Sequence, residues 1–182
     1  MAIQIQRGPK AALPSIHDTN LKLLTDASNL ASDTGWLAPG AALLLAGSTL
    51  VAVQASVPGV SIPQGGQAFW AIRPQPSWNS HQLALRAVYS DTSGSAAAFG
   101  VTWTAAGISV GQAGQVTIGT STTPIPGVTP SGSLAAIEVT INTTPILATM
   151  ETLGILLFRA ASDAQGAAPL YLYGLQWRVY QR

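Results

Sequence analysis

The feature that most constrains this chain is a pair of apolar segments near its C-terminus, 153–160 and 170–180. The second reads LYLYGLQWRVY, and its alternation puts one set of side chains on a single face: Tyr171, Tyr173, Leu175, Trp177 and Val179. Gln176 and Arg178 fall on the other face, and a period of two predicts a strand with one buried side. The first segment, LGILLFRA, is apolar on both sides and predicts a central strand. Two such strands need an opposing sheet, which the rest of the chain is expected to supply.

Strand-like runs recur from residue 40 onward, separated by turns rich in Gly, Pro and Ser. Before the final pair they are 41–45, 49–57, 67–72, 82–89, 97–104, 115–118 and 134–141. Many short strands without an amphipathic helix predict an all-β fold, an antiparallel jelly-roll-like β-sandwich of two four-stranded sheets. We assign the sandwich to residues 39–182 and an N-terminal docking arm to residues 1–38, whose composition differs. The alternative for the arm is an edge strand of the main domain.

Charge is unusually sparse in this sequence. Charged residues make up 8% of the chain, against about 25% in an ordinary soluble domain. Free domains use surface charge to stay soluble, so this balance favours a subunit of an assembly over a free monomer. The formal net charge is +1 and no basic cluster occurs, which argues against nucleic acid as a partner.

One apolar stretch, 41–53, is long enough to be weighed as a membrane segment. It reads AALLLAGSTLVAV, and Gly47, Ser48 and Thr49 interrupt it. A spanning helix needs about 20 predominantly apolar residues, so two buried strands around a turn explain the stretch better. We therefore expect no membrane partner.

Residues suited to chemistry are few. The chain has no cysteine, which removes disulfides and thiolate chemistry. Residues 107–111 match G-x-S-x-G, but a nucleophile elbow needs a following helix and a later histidine, whereas His17 and His81 both precede Ser109. A loose set of His17 and Asp18 with His81 or Asp91 is the one weak candidate for a metal. We predict no catalytic residue, no metal, no cofactor and no enzymatic activity.

The tryptophans are the more informative aromatic residues. Trp103 and Trp177 lie within predicted strands and are expected in the core. Trp78, in RPQPSWNSH, lies in a Pro-rich loop beside Asn79 and His81 and is the best candidate for an exposed aromatic. It would stack on a sugar ring or anchor a protein interface. The alternative is that it caps one end of the sandwich.

Two stretches resemble proteins of tailed bacteriophages. The opening IQIQRGPKAALP, residues 3–14, resembles the start of tail-fibre and other virion proteins. The close, LLFRAASDAQGAAPLYLYGLQWRVY, is similar to the last hairpin of β-sandwich modules in phage tail and head-surface proteins. The resemblance implies a structural component of the virion, either a capsid decoration or cement protein or a head or tail fibre subunit. It would contact the major capsid or tail protein and pack as a homo-oligomer, for which we expect a trimer.

For that structural role we expect docking through a set of mainly N-terminal residues: Ile3, Ile5, Arg7, Leu13 and Trp36. The alternative function is a glycan-binding receptor-recognition module of a phage tail or head fibre. Its partner would be a host surface glycan, held by exposed aromatics, chiefly Trp78 together with Trp36. Both interpretations place the protein in the virion.

Overall fold

The structure, a computed structural model, describes residues 31–53, 57–109, 114–141, 145–147 and 149–180. The predicted docking residues Ile3, Ile5, Arg7 and Leu13 lie outside the described residues, so their role stays a prediction. His17 and Asp18, from the weak metal candidate, lie outside them as well.

Within the described ranges the chain is built almost entirely of strands. Two short 3₁₀ turns, Pro39–Ala41 and Pro76–Trp78, are the only helical segments described there, and no helix among these residues is long and apolar enough to cross a membrane. The strands are β1 (Ala31–Leu37), β2 (Leu43–Leu45), β3 (Thr49–Val53), β4 (Val57–Ile62), β5 (Gln67–Ile72), β6 (Gln82–Asp91), β7 (Ala98–Phe99), β8 (Val101–Ser109), β9 (Gln115–Ser121), β10 (Ile125–Pro126), β11 (Ala135–Thr140), β12 (Met150–Arg159) and β13 (Leu170–Tyr180).

These strands form two main antiparallel sheets. The first has the order β11-β6-β13-β4-β3, with β1 also paired to β13, and the second has the order β2-β5-β12-β8-β9. A small ladder joins β10 to β7. The predicted all-β, jelly-roll-like sandwich is confirmed, with sheets of six and five strands in place of the expected four and four.

Strand β13 is the centre of the first sheet. Along one edge it pairs with β6 over residues 170–180, and along the other it pairs first with β4 and then with β1. Strand β12 lies in the second sheet, between β5 and β8. Because the two segments belong to different sheets, the terminal hairpin implied by the phage resemblance is wrong. Residues 160–169 instead form a crossover from one sheet to the other.

A β-bulge interrupts the alternation of β13. From Leu172 to Gly174 the pairing with β6 advances by a single residue, so Tyr173 is the extra residue of the bulge. The sequence pattern had put Tyr171 and Tyr173 on the same face as Leu175. The bulge reverses this, because Leu172 and Leu175 both belong to the hydrophobic core cluster, whereas Tyr171 is partly exposed and Tyr173 is buried outside that cluster.

The first described strand extends the sandwich into the predicted arm. Residues 31–37 pair antiparallel with 175–180 of β13. The boundary predicted at residue 38 therefore separates β1 from the sheet to which it belongs. For residues 31–37, the alternative of a strand in the main domain applies. The arm prediction for residues 1–30 stays a prediction.

One buried side chain ties the two sheets together. Arg159, the last residue of β12, is fully buried, and its Nε and Nη2 donate to the two carboxylate oxygens of Asp163 at 2.8 and 3.0 Å. Nη1 donates to the carbonyl oxygens of Ile62 and Ala168 at 3.1 and 2.6 Å, and Nη2 to that of Gly166 at 2.8 Å. All five N–H donors of the guanidinium are thus satisfied. Since Ile62 ends β4, this contact set joins both sheets and the crossover.

The carboxylate of Asp163 is stabilised in its charged form. Burial alone would raise its pKa, but the hydrogen bond and charge of Arg159 and the amides of Gly100 and Gln165 hold the pKa below its ordinary value of 3.8. A carboxyl group whose pKa is lower in the folded state stabilises the fold above the unfolded-state pKa. That contribution is lost as pH falls through the folded-state pKa.

Replacing Arg159 by Met should lower the free energy of unfolding by about 3–5 kcal/mol, because a buried carboxylate and three carbonyl groups lose their partner. Urea denaturation followed by circular dichroism measures this. The control is Arg73→Met, an exposed arginine, which should change the free energy by less than about 0.5 kcal/mol. Equal losses in the two variants would contradict the role assigned to Arg159.

Asp163→Asn should flatten the acid side of the stability profile. In the native protein the free energy of unfolding is expected to fall as pH drops below about 4, since the Asp163 carboxylate must be protonated. The variant should be less stable at neutral pH and should lose less stability on acidification. Parallel profiles from denaturation series at several pH values would refute the assignment.

Candidate functional site

The outer side of β13 carries a strip of polar and aromatic side chains. They alternate with residues of the buried core, and the bulge extends the strip to both tyrosines: Tyr171, Tyr173, Gln176, Arg178 and Tyr180. The hydroxyl group of Tyr173 is hydrogen-bonded to Ser90 Oγ at 2.9 Å. This strip lies in the middle of the first sheet, so side chains from the neighbouring strands lie beside it.

A row of four side chains crosses this outer face. Trp36 of β1 pairs with Gln176 of β13, Gln176 pairs with Arg86 of β6, and Arg86 pairs with Glu138 of β11. Neighbouring strands are about 4.8 Å apart, so the row is about 14 Å long. We call these four residues the polar row. It places an indole, an amide, a guanidinium and a carboxylate side by side.

Trp36, at one end of the polar row, is exposed and held in position. Its side chain is 54% exposed, and its ring lies against the backbone at Gly174. A Cβ atom at Gly174 would lie 2.4 Å from Cζ2 of Trp36, and the glycine has a φ of +151°. Only glycine therefore suits both the backbone there and the approach of the indole. The remaining half of Trp36 faces solvent.

A small depression of about 60 Å³ lies at the other end of the row. It is bordered by Ala84, Leu85, Arg86, Glu138, Gln176 and Arg178. Nη2 of Arg178 lies 3.9 Å from Oε2 of Glu138, and both side chains are well exposed. An ion pair of this length and exposure contributes little to stability. Arg86 forms no hydrogen bond or ion pair with any residue that the structure describes, so its guanidinium is available to a ligand.

Two other cavities line the described surface. One, of about 150 Å³, is an uncharged groove on the outer side of the second sheet, and its lining includes Phe69, Ile108 and Leu156. The other, of about 480 Å³, lies between the segment 73–76 and residues Met150 and Glu151. Trp36, the one exposed tryptophan among the described residues, belongs to the polar row. The polar row is thus the place where an exposed indole and converging polar groups occur together.

The structure does not support the exposure predicted for Trp78. This residue is only 2% exposed, and its ring centroid lies 4.9 Å from that of Trp177. Its Nε1 donates to Oδ2 of Asp33 at 3.2 Å, so the prediction of an exposed aromatic is wrong and Trp78 belongs to the buried core. Asn79 and His81 lie in the turn before β6, away from the polar row, where Nδ1 of His81 is 2.8 Å from the Asn79 carbonyl oxygen.

The remaining candidates for chemistry are placed in the scaffold. Ser109 of the G-x-S-x-G match is buried at the end of β8, not in a turn, and its hydroxyl group lies 3.2 Å from Oγ1 of Thr149. Asp91 is also buried and accepts hydrogen bonds from the amides of Ser93 and Val128. Among the described residues no group of three or more His, Asp or Glu side chains is arranged to hold a metal ion.

Sequence reasoning named Trp36 for docking but assigned no site role to its neighbours. Gln176 and Arg178 were recognised as the polar side of their strand. Arg86 and Glu138 lie on strands far apart in sequence, and only the register of β6 between β13 and β11 brings them together.

No protein-family profile matches the chain, and no curated protein sequence matches it. Solved structures do match. The C-terminal family 6 carbohydrate-binding module of LamC, a laminarinase from Zobellia galactanivorans, has a TM-score of 0.51 at 11% identity, covering 80% of this chain and 99% of that one.

Two further carbohydrate-binding modules are similar to the same extent. A family 35 module from Clostridium thermocellum has a TM-score of 0.50 at 14% identity, covering 80% of this chain and 98% of that one. A family 36 module of a multidomain xylanase from the hindgut metagenome of Trinervitermes trinervoides has a TM-score of 0.51 at 13% identity, covering 80% and 96%. At such identities the likeness shows the fold alone. These neighbours are carbohydrate-binding modules rather than phage proteins.

Gly174→Ala should displace the Trp36 ring and lower the free energy of unfolding by about 2–4 kcal/mol, because the new Cβ overlaps the indole and strains the backbone. Chemical denaturation measures the loss, and ¹⁹F NMR of fluorotryptophan-labelled protein reports the displacement, with the Trp36 signal assigned from Trp36→Phe. Gly40→Ala is the matched control, because a Cβ there meets nothing within 4 Å. An unchanged Trp36 signal in Gly174→Ala would disprove the contact.

Proposed function

We propose that this chain is a carbohydrate-binding module that holds an oligosaccharide along the polar row on the outer face of its first sheet. The observation that carries the proposal is the position of Trp36, which is held against Gly174, exposed, and in register with Gln176, Arg86 and Glu138. The fold it shares with three carbohydrate-binding modules supports the proposal from a separate direction.

The chemistry of the row fits a sugar. A pyranose ring presents an apolar C–H face that packs on an indole, while its hydroxyl groups need directed hydrogen bonds. The amide of Gln176 both donates and accepts, the guanidinium of Arg86 donates, and the carboxylate of Glu138 accepts. One ring stacked on Trp36 would therefore place the following rings over these three side chains.

The proposed module has a binding role without catalysis. Glycoside hydrolysis generally uses two carboxyl groups that flank the scissile bond. Glu138 is the one acidic residue, among those described, that borders the depression. The predicted absence of enzymatic activity remains part of this proposal.

A phage setting is the narrower form of the proposal. The likeness of residues 3–14 to the start of virion proteins is what supports a receptor-recognition module, which would bind a glycan on the host surface. The structural role on a capsid or tail, the trimer and the location in the virion stay predictions.

Trp36→Ala should weaken binding to a recognised polysaccharide at least tenfold, about 1.4 kcal/mol, because the stacking surface is removed. Affinity electrophoresis in gels containing a β-glucan or a xylan identifies a ligand, and calorimetry with the matching oligosaccharide gives the dissociation constant. Leu43→Ala is the control, since Leu43 is 59% exposed but lies on the second sheet. Equal binding by Trp36→Ala and the native protein would overturn the site.

A further inference from the structure

Positive charge is concentrated at one end of the polar row. The described ranges contain four arginines and no lysine: Arg73, Arg86, Arg159 and Arg178. Arg159 is buried and neutralised by Asp163. Arg86 and Arg178 both border the depression on the outer face, where Glu138 is the only acidic residue. In a chain with 8% charged residues, this local excess of one positive charge is a distinguishing property of the face.

Neither guanidinium is committed to a strong partner. The contact of Arg178 with Glu138 is 3.9 Å long and exposed to solvent, and its guanidinium carbon lies 5.7 Å from the ring centroid of Tyr180. Arg86 has no hydrogen bond or ion pair among the described residues. Two guanidiniums therefore face solvent with most of their N–H donors free.

Ala84, a small residue beside Arg86 and Arg178, explains the depression. Arg178 pairs with Ala84, and Arg86 lies two residues further along the same strand. Diagonal neighbours of this kind on one face have separations of about 7–8 Å. The methyl group of Ala84 does not fill the space between two such long side chains, which leaves room for one substituent group and not for a whole oligosaccharide.

We propose that the saccharide bound here is acidic, a uronic-acid chain whose carboxylate enters the depression between Arg86 and Arg178 while a neighbouring ring stacks on Trp36. Guanidinium and carboxylate groups match each other through paired, charge-assisted hydrogen bonds. Gln176, between Trp36 and the depression, supplies the hydrogen bonds to hydroxyl groups of the connecting ring. This inference rests on the proposed function and adds the class of ligand to it.

The test compares trigalacturonic acid with its methyl ester, which has the same rings without the charge. Calorimetry should show that the native protein binds the acid at least tenfold more tightly than the ester. That preference should shrink as the salt concentration is raised, because the added interaction is ionic. In the double variant Arg86→Gln, Arg178→Gln the ratio of the two affinities should fall to about one. Both residues are exposed, so the variant is expected to fold, and circular dichroism verifies this.

Two further measurements separate a saccharide site from a general anion-binding patch. Trp36→Ala should weaken the binding of both saccharides, since stacking does not depend on charge. Polyglutamate, which carries carboxylates without sugar rings, should not compete with trigalacturonic acid at equal carboxylate concentration. Full competition, or acid binding that is unchanged in Trp36→Ala, would overturn the inference.

The outcomes also separate this inference from the proposed function. Equal affinity for the acid and the ester would contradict the inference of an acidic ligand, but it would not contradict the proposed carbohydrate-binding function. Binding only to neutral glucans or xylans, with dependence on Trp36, would do the same. If the protein binds neither acidic nor neutral saccharides, both proposals are wrong.

Discussion

The structure depends on the guanidinium group of Arg159, all of whose N–H donors are hydrogen-bonded. Arg159 is placed at the point where β12 ends and the chain leaves the second sheet, and its five donors bind groups on both sides of the sandwich. Desolvating a charged group costs several kcal/mol unless each donor finds an acceptor, so this contact set admits few alternative paths for residues 160–169. The crossover in turn determines where β13 enters the first sheet. The register of β13 then decides which side chains stand beside Trp36.

Local pattern was sufficient for strands whose alternation is regular. The sequence predicted β5 and β13 with the bounds that the structure has, because Gly66 and Pro74 flank β5 and Pro169 precedes the regular alternation of β13. Strand β4 was missed, since Pro58 and Gly59 are typical of a turn. Pro58 lies opposite Ala52 of β3 and outside the pairing of β4 with β13, which begins at Val60, so its missing N–H removes no bond to β13. Strand β1 was assigned to the arm because its partner lies at the opposite end of the chain.

The site was harder to predict than the fold, because its parts come together through long-range pairing. Trp78 lies in a polar, Pro-rich loop, and what buries it is the approach of Trp177 and of Asp33 from β1. Trp36 has the more apolar sequence neighbours and yet is the exposed indole. The residues next to a tryptophan in the sequence describe only its local segment. Its exposure depends on which strands pack beside it in the fold. The sparse charge predicts a subunit of an assembly. It also makes Arg86, Arg178 and Glu138 a local concentration of charge on the outer face of the first sheet.

The bulge at Tyr173 has a consequence for how this surface changes over evolutionary time. Beyond it, β13 alternates between inner side chains that pack in or against the core, Leu175, Trp177 and Val179, and the outer side chains Gln176 and Arg178, which do not. Exchanging Gln176 or Arg178 for another polar residue leaves Leu175 and Val179 in place. Relatives with the same interior are therefore free to differ in what they recognise, and on β13 that divergence would fall on the outward positions 176 and 178.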